Sequence, residues 1–304
     1  MLVVAALLSA RAAQAQWGVW VGDSLLAAGR LAAAESAYYA ASAANPRDPR
    51  ARAALGRFLA ARGGSRAGAV LIEEARFFGG DSIALARALV PIYERLGDYA
   101  ALDSLTPNVL SGPERRRIRW LRDRAPQASF ADSVVLSTYR PTADGQGIGT
   151  LLLRVGKTEL PAVIDPRVSG LALPATMRRE LRTFGDENAT LAVLDVARIG
   201  GITFRNVPAT IAPANERVRI GFDVLAPYSP SFDPRRGIMT LRRTERRTRP
   251  RPGARIPALF DANGLRLLVG DGWQSSNAAT PAMILATRSW MWDSRRGDVV
   301  LLAP

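Results

Sequence analysis

The chemistry open to this 304-residue chain is narrow, because it contains neither cysteine nor histidine. Thiol nucleophiles, disulfide frameworks, Ser-His triads and zinc sites built from imidazole or thiolate are excluded. Carboxylates, hydroxyls, arginines and a single lysine, Lys157, remain. Among the carboxylates, Asp165 closes the apolar run ELPAVID and is followed by Pro166 and Arg167. Asp261 closes a parallel run, RIPALFD. Two carboxylates that share one proton can hydrolyse a peptide bond, one acting as base on a water while the other protonates the scissile carbonyl. No metal or cofactor is implied by this set.

Elements that would hold Asp165 can be read on either side of it. From Ser133 the apolar periodicity becomes alternating: SVVLSTY, then GTLLLRVG, a Gly156-Lys157-Thr158 turn and ELPAVID read as strands and a hairpin rich in β-branched residues. A helix-like PATMRRELRTFG follows, then ARIGGITFRNVPATI and RIGFDVLAPYSPSFDPRRGIMTL. Taken in order, these segments resemble the retropepsin-like aspartic proteases across about residues 146–243. The matching features are a strand ending in the catalytic aspartate, an Ile-Gly-Gly hairpin, an Ile-Gly-x-Asp-x-Leu turn and a closing strand. The resemblance implies an all-β barrel of the acid-protease type and puts Asp165 at the catalytic position.

The same resemblance exposes a defect. In the family a Thr or Ser follows the aspartate and bonds across two loops, and then a Gly admits close backbone approach; here Pro166 and Arg167 stand at those positions. Proline offers neither hydroxyl nor N–H. An inward Arg167 would favour an ionised Asp165 and oppose a shared proton. Ser169 and Gly170 read as turn residues, and Asp223 as a carboxylate that satisfies backbone amides. The expectation is a peptide-bond hydrolase fold without hydrolysis. An active endopeptidase would need a second carboxylate, supplied either by a homodimer or by Asp261.

Residues 254–304 echo the preceding domain: RIPALFDANG parallels ELPAVIDPRV, and MWDSRRGDVVLL parallels SFDPRRGIMTL. Only 32 residues separate Asp261 from Asp293, against 68 between Asp165 and Asp233, so no full lobe fits. Extra strands completing the first sheet, or a degenerate second lobe, are the two readings. Trp273, Trp290 and Trp292 read as core or interface packing rather than a ligand groove.

Over the first hundred residues Gly22 and Gly56 lie 34 apart, and Gly29, Gly63 and Gly97 repeat at the same interval. With Ala34, Tyr38 and Ala41 before Pro46, this resembles tetratricopeptide repeats, which imply an α-helical solenoid of stacked helix pairs. The third repeat, from about Asp81 to Pro107, is the loosest. The expected organisation is therefore multidomain α and β. It comprises a signal peptide over 1–15, helical repeats over 17–107, a basic helical linker over 108–130, the β-domain over 131–245 and the C-terminal β-extension over 254–304.

Residues 2–10 form an apolar run too short to cross a bilayer, and Ala13-Gln14-Ala15 fits a signal-cleavage site. Export to the periplasm or beyond is expected. The net charge of +14 would attract polyanions, but Lys157 is the sole lysine among 41 basic residues. That imbalance reads as codon bias of a G+C-rich genome, so nucleic acid is not an expected partner. The expected partner is a protein or peptide, met by a scaffold or by an accessory subunit of an envelope or membrane complex.

Overall fold

The computed structural model describes residues 16–105, 108–142, 145–186, 188–243, 253–270, 272–293 and 296–302. The leader expected over residues 1–15 lies outside the described residues. The chain divides into two compact units, Met1–Val109 with Gly270–Trp273 and Leu110–Val269 with Gln274–Pro304. Among the described residues no helix is long and apolar enough to cross a membrane.

The first unit is helical: α1 (16–27), α2 (Leu31–Ala44), α3 (Pro49–Ala61), α4 (Ser65–Phe77), α5 (Ser82–Leu96) and α6 (Tyr99–Ser104). The periodic glycines explain the hairpins. Gly29, Gly63 and Gly97 have φ of 72°, 89° and 66°, a left-handed conformation that reverses the chain after α1, α3 and α5. Asp48 accepts a hydrogen bond from the Arg50 amide ahead of Pro49, and Asp81 accepts from the amides of Ile83 and Ala84, so two of the pairs start on a capped helix. Ala34, Tyr38 and Ala41 line the buried stripe of α2, where the Tyr38 ring lies 5.5 Å from that of Phe58. The third pair departs from this regularity, with Pro91 inside α5 and only six residues in α6.

Gly56 and Gly68 let α3 and α4 touch backbone to side chain. A Cβ on Gly68 would lie 2.5 Å from the Gly56 carbonyl oxygen and 2.8 Å from Ala60 Cβ. Gly68→Ala should therefore destabilise this unit. Overpacking costs about 1–3 kcal/mol, more than the roughly 1 kcal/mol that alanine returns in helix propensity. A lower melting temperature by circular dichroism checks this; an unchanged or higher one refutes the close approach.

The second unit opens with α7 (Gly112–Asp123), started by a reciprocal Ser111–Glu114 capping box, whose Ile118 and Leu121 are buried. Its strands are β1 (Gln127–Phe130), β2 (Val134–Arg140), β3 (Gly149–Val155), β4 (Thr158–Ile164), β5 (Leu171–Pro174), β6 (Leu181–Thr183), β7 (Leu191–Ile199), β8 (Ile202–Ala212), β9 (Val218–Ile220), β10 (Ser231–Asp233), β11 (Ile238–Arg242), β12 (Gly253–Asp261), β13 (Gly264–Val269), β14 (Gly272–Ser275), β15 (Trp290–Asp293) and β16 (Asp298–Leu302). Two helices interrupt them, α8 (Phe222–Leu225) and α9 (Ala279–Thr287).

The segment expected as a basic linker belongs to this unit. Apart from α7, it supplies β1, whose Gln127–Phe130 pairs antiparallel with β8. PATMRRELRTFG, expected to be helix-like, forms a short 3₁₀ helix over Ala175–Glu180 and then β6. None of those six residues is buried, so no packing extends the segment into a longer α-helix.

Strands β3, β4, β9, β5, β8 and β7 are hydrogen-bonded in that order, and β7 pairs back onto β3, closing a six-stranded barrel. From β3 the sheet also continues outward through β2, β11, β10, β15, β16, β12 and β13. The join between β10 and β15 carries a local two-fold relation. Ser231 pairs with Met291, its counterpart sixty positions on, and Phe232 pairs with Trp290 while the Trp292 amide donates to Pro230 at 2.9 Å. The hairpins on either side turn alike: Asp233 accepts from the Arg236 amide and Asp293 from the Arg296 amide, and Gly237 and Gly297 have φ of 66° and 61°. Trp290 and Trp292 are buried here, and the Trp290 ring stacks on Phe232 at 4.1 Å.

Candidate functional site

Asp165 sits where β4 ends, between two partners that fix its backbone. Ile164 pairs with Gly149 of β3 and, in parallel, with Ile220 of β9, and the Asp165 amide then donates to the Ile220 carbonyl at 2.9 Å. The chain turns at once, with the Val168 amide donating to the Asp165 carbonyl at 3.0 Å. This geometry aims the carboxyl group inward, and Asp165 is 0% exposed.

Arg167 folds back over that carboxylate. Its amide and Nε donate to Asp165 Oδ1 at 3.0 and 2.9 Å, and its Nη2 donates to Oδ2 at 3.0 Å. This is a side-on bidentate pair, the strongest ordinary arrangement of guanidinium and carboxylate. Hydrogen bonding to Asp165 pushes the Arg167 guanidinium above its already high ordinary value, outweighing the opposing effect of burial. Arg219 adds a second cation, its Nη1 lying 3.7 Å from Oδ2, while its other end pairs with Glu216.

Asn277 completes the clasp. In one amide orientation its nitrogen donates to Asp165 Oδ1 at 3.4 Å. In the other its oxygen accepts from Arg167 Nε at 3.1 Å and Nη2 at 3.3 Å, which matches a donor-only guanidinium better.

Asp261, at the end of β12, has partners of its own. Its Oδ1 accepts from the Asn263 amide at 2.8 Å, and its Oδ2 pairs with Arg266. The two loops do touch: a Cβ on Gly264 would fall 2.7 Å from the Pro166 carbonyl oxygen. Each aspartate nevertheless has its own arginine, Arg167 for Asp165 and Arg266 for Asp261.

Asp223 accepts from Ser169 Oγ at 2.9 Å and from the amides of Gly170 and Val224 at 3.0 Å, which ties the far side of the Asp165 loop to α8. Sequence reasoning did not reach Arg219, Asn277 or Arg266. Arg219 was signalled only by its place one residue before Ile220. Asn277 lies 112 positions from Asp165, in a turn with no motif of its own.

Beside Arg167 opens a cavity of about 500 Å³, lined by Val163, Arg167, Arg217, Arg219, Asn215 and Glu216 among others. Among the described residues no group of three or more acidic side chains gathers as a metal site would need.

Among solved structures, the chain is similar to a retropepsin-like aspartic protease from Rickettsia conorii, at 14% sequence identity and a TM-score of 0.26, over 38% of this chain and 91% of that one. No family model matches the sequence. The search of curated proteins gave no match.

Proposed function

We propose that this chain is an exported, non-catalytic binding protein: a retropepsin-like β-unit, converted from protease to peptide or protein holder, joined to tetratricopeptide-like helical repeats. The observation that carries the reading is the bidentate pair that half-exposed Arg167 makes with the fully buried carboxylate of Asp165. A hydrolytic aspartate needs an oxygen free to hold water and a partner carboxylate with which to share a proton. Asp165 has its oxygens engaged by a guanidinium, and Asp261 is engaged by Arg266.

The repeat reading rests on the three left-handed glycines at 34-residue spacing and on the successive helix pairs. The C-terminal segment is read as a degenerate second lobe, on the strength of the two-fold relation between the β10–β11 and β15–β16 hairpins. Such an internal pairing leaves no need for a homodimer. Export rests on the apolar residues 2–10 and the Ala13-Gln14-Ala15 site. Incubation with a mixed peptide library from acidic to neutral pH should yield no cleavage products, and products that depend on Asp165 would refute the reading.

A further inference from the structure

We infer that the cavity lined by Arg167 receives an acidic peptide segment, with Arg217 and Arg219 as the residues that select it. This rests on the peptide-holding reading above and deepens it by naming the kind of peptide.

Charge at the cavity is lopsided. Three guanidinium-bearing residues, Arg167, Arg217 and Arg219, line it, against one lining carboxylate, Glu216. Asp165 offsets one further charge, but it is 0% exposed and sits beneath Arg167, so its carboxylate is not offered to a ligand. Arg167 keeps half of its side chain exposed and Arg219 a third, so both present N–H groups to the cavity as well as to their protein partners. Arg217 is exposed, two residues from Arg219 along the same edge.

The cavity's size suits a few side chains of a bound segment rather than a free ion. About 500 Å³ falls within the range of ordinary ligand pockets, which run from roughly 300 to 1,000 Å³. Asn215 and Gln146 add neutral hydrogen-bonding groups to the wall, and the Gln146 carbonyl already accepts from Arg167 Nη2 at 3.3 Å. Planar guanidinium groups bind carboxylates in pairs of parallel hydrogen bonds, which a neutral amide side chain cannot return with the same strength. A segment carrying Asp or Glu is therefore favoured over its Asn or Gln counterpart.

The test uses the full chain, immobilised, and a pool of randomised octapeptides that are acetylated and amidated so that only side chains carry charge. Retained peptides should be enriched in Asp and Glu, and retention should fall as sodium chloride is raised from about 50 to 500 mM. Replacing the acidic positions of a retained peptide by Asn or Gln should weaken binding about tenfold or more. Arg217→Gln should weaken it similarly, with an unchanged melting temperature, and Arg217→Lys should restore part of it. Peptides retained without acidic enrichment would overturn the selectivity while leaving the peptide-holding reading in place. Retention of no peptide at all would overturn both. Affinity unchanged by Arg217→Gln, with acidic peptides still preferred, would overturn the assignment to this cavity.

Discussion

Arg167→Ala should destabilise the β-unit by about 3–5 kcal/mol, because it strips a fully buried carboxylate of its bidentate partner. The lower end of that range is expected, since Arg219 and Asn277 remain near Asp165. The double variant Asp165→Asn/Arg167→Ala should recover part of the loss, because an amide is far cheaper to bury than an unpaired carboxylate. Urea unfolding followed by the fluorescence of buried Trp290 and Trp292 measures both. Wild-type stability in Arg167→Ala would mean that the pair contributes little and that Asp165 is held by something else.

Trp290→Ala should cost about 3–5 kcal/mol. Trp290 is 0% exposed, stacks on Phe232 at 4.1 Å and lies 6.5 Å from the ring of Phe222. Its strand, β15, also joins β10 to β16 in the sheet path. The same reasoning extends to the chain itself: ending it at Arg243 removes β12 to β16, uncovers the edge of β10 and leaves Phe232 without its stacking partner. That shortened chain should fail to give a cooperative unfolding transition for the β-unit. A soluble, cooperatively folding product would show that residues 253–304 are an appendage and not part of one core.

The helical unit was legible largely because its period lies in the backbone. A glycine in the left-handed region is needed at each hairpin, so Gly29, Gly63 and Gly97 mark the turns directly. The strands around Asp165 were equally plain, since ELPAVID and GTLLLRVG pair residue for residue from Gly149–Ile164 to Val155–Thr158. Short elements fared worse. β1 has four residues and two half-buried positions, too little alternation to separate it from the basic helix before it. Closure of the barrel by Arg154–Arg198 and Val155–Ala197 left no mark in the sequence, because that pairing is decided by the curl of the sheet.

The proline and arginine that follow Asp165 are plain in the sequence. What could not be read was the direction of Arg167, which depends on Asn277 and on the Gly264 loop arriving from about a hundred residues away. Two-residue spacing permits the clasp. Tertiary contacts decide it.

The account stands or falls on whether Asp165 hydrolyses peptides. The direct measurement is mass spectrometry of a mixed peptide library incubated with the full chain between acidic and neutral pH, beside the Asp165→Asn variant. The account predicts identical product profiles for the two proteins and for a blank at every pH. Cleavage by the wild-type chain that disappears in Asp165→Asn would contradict it.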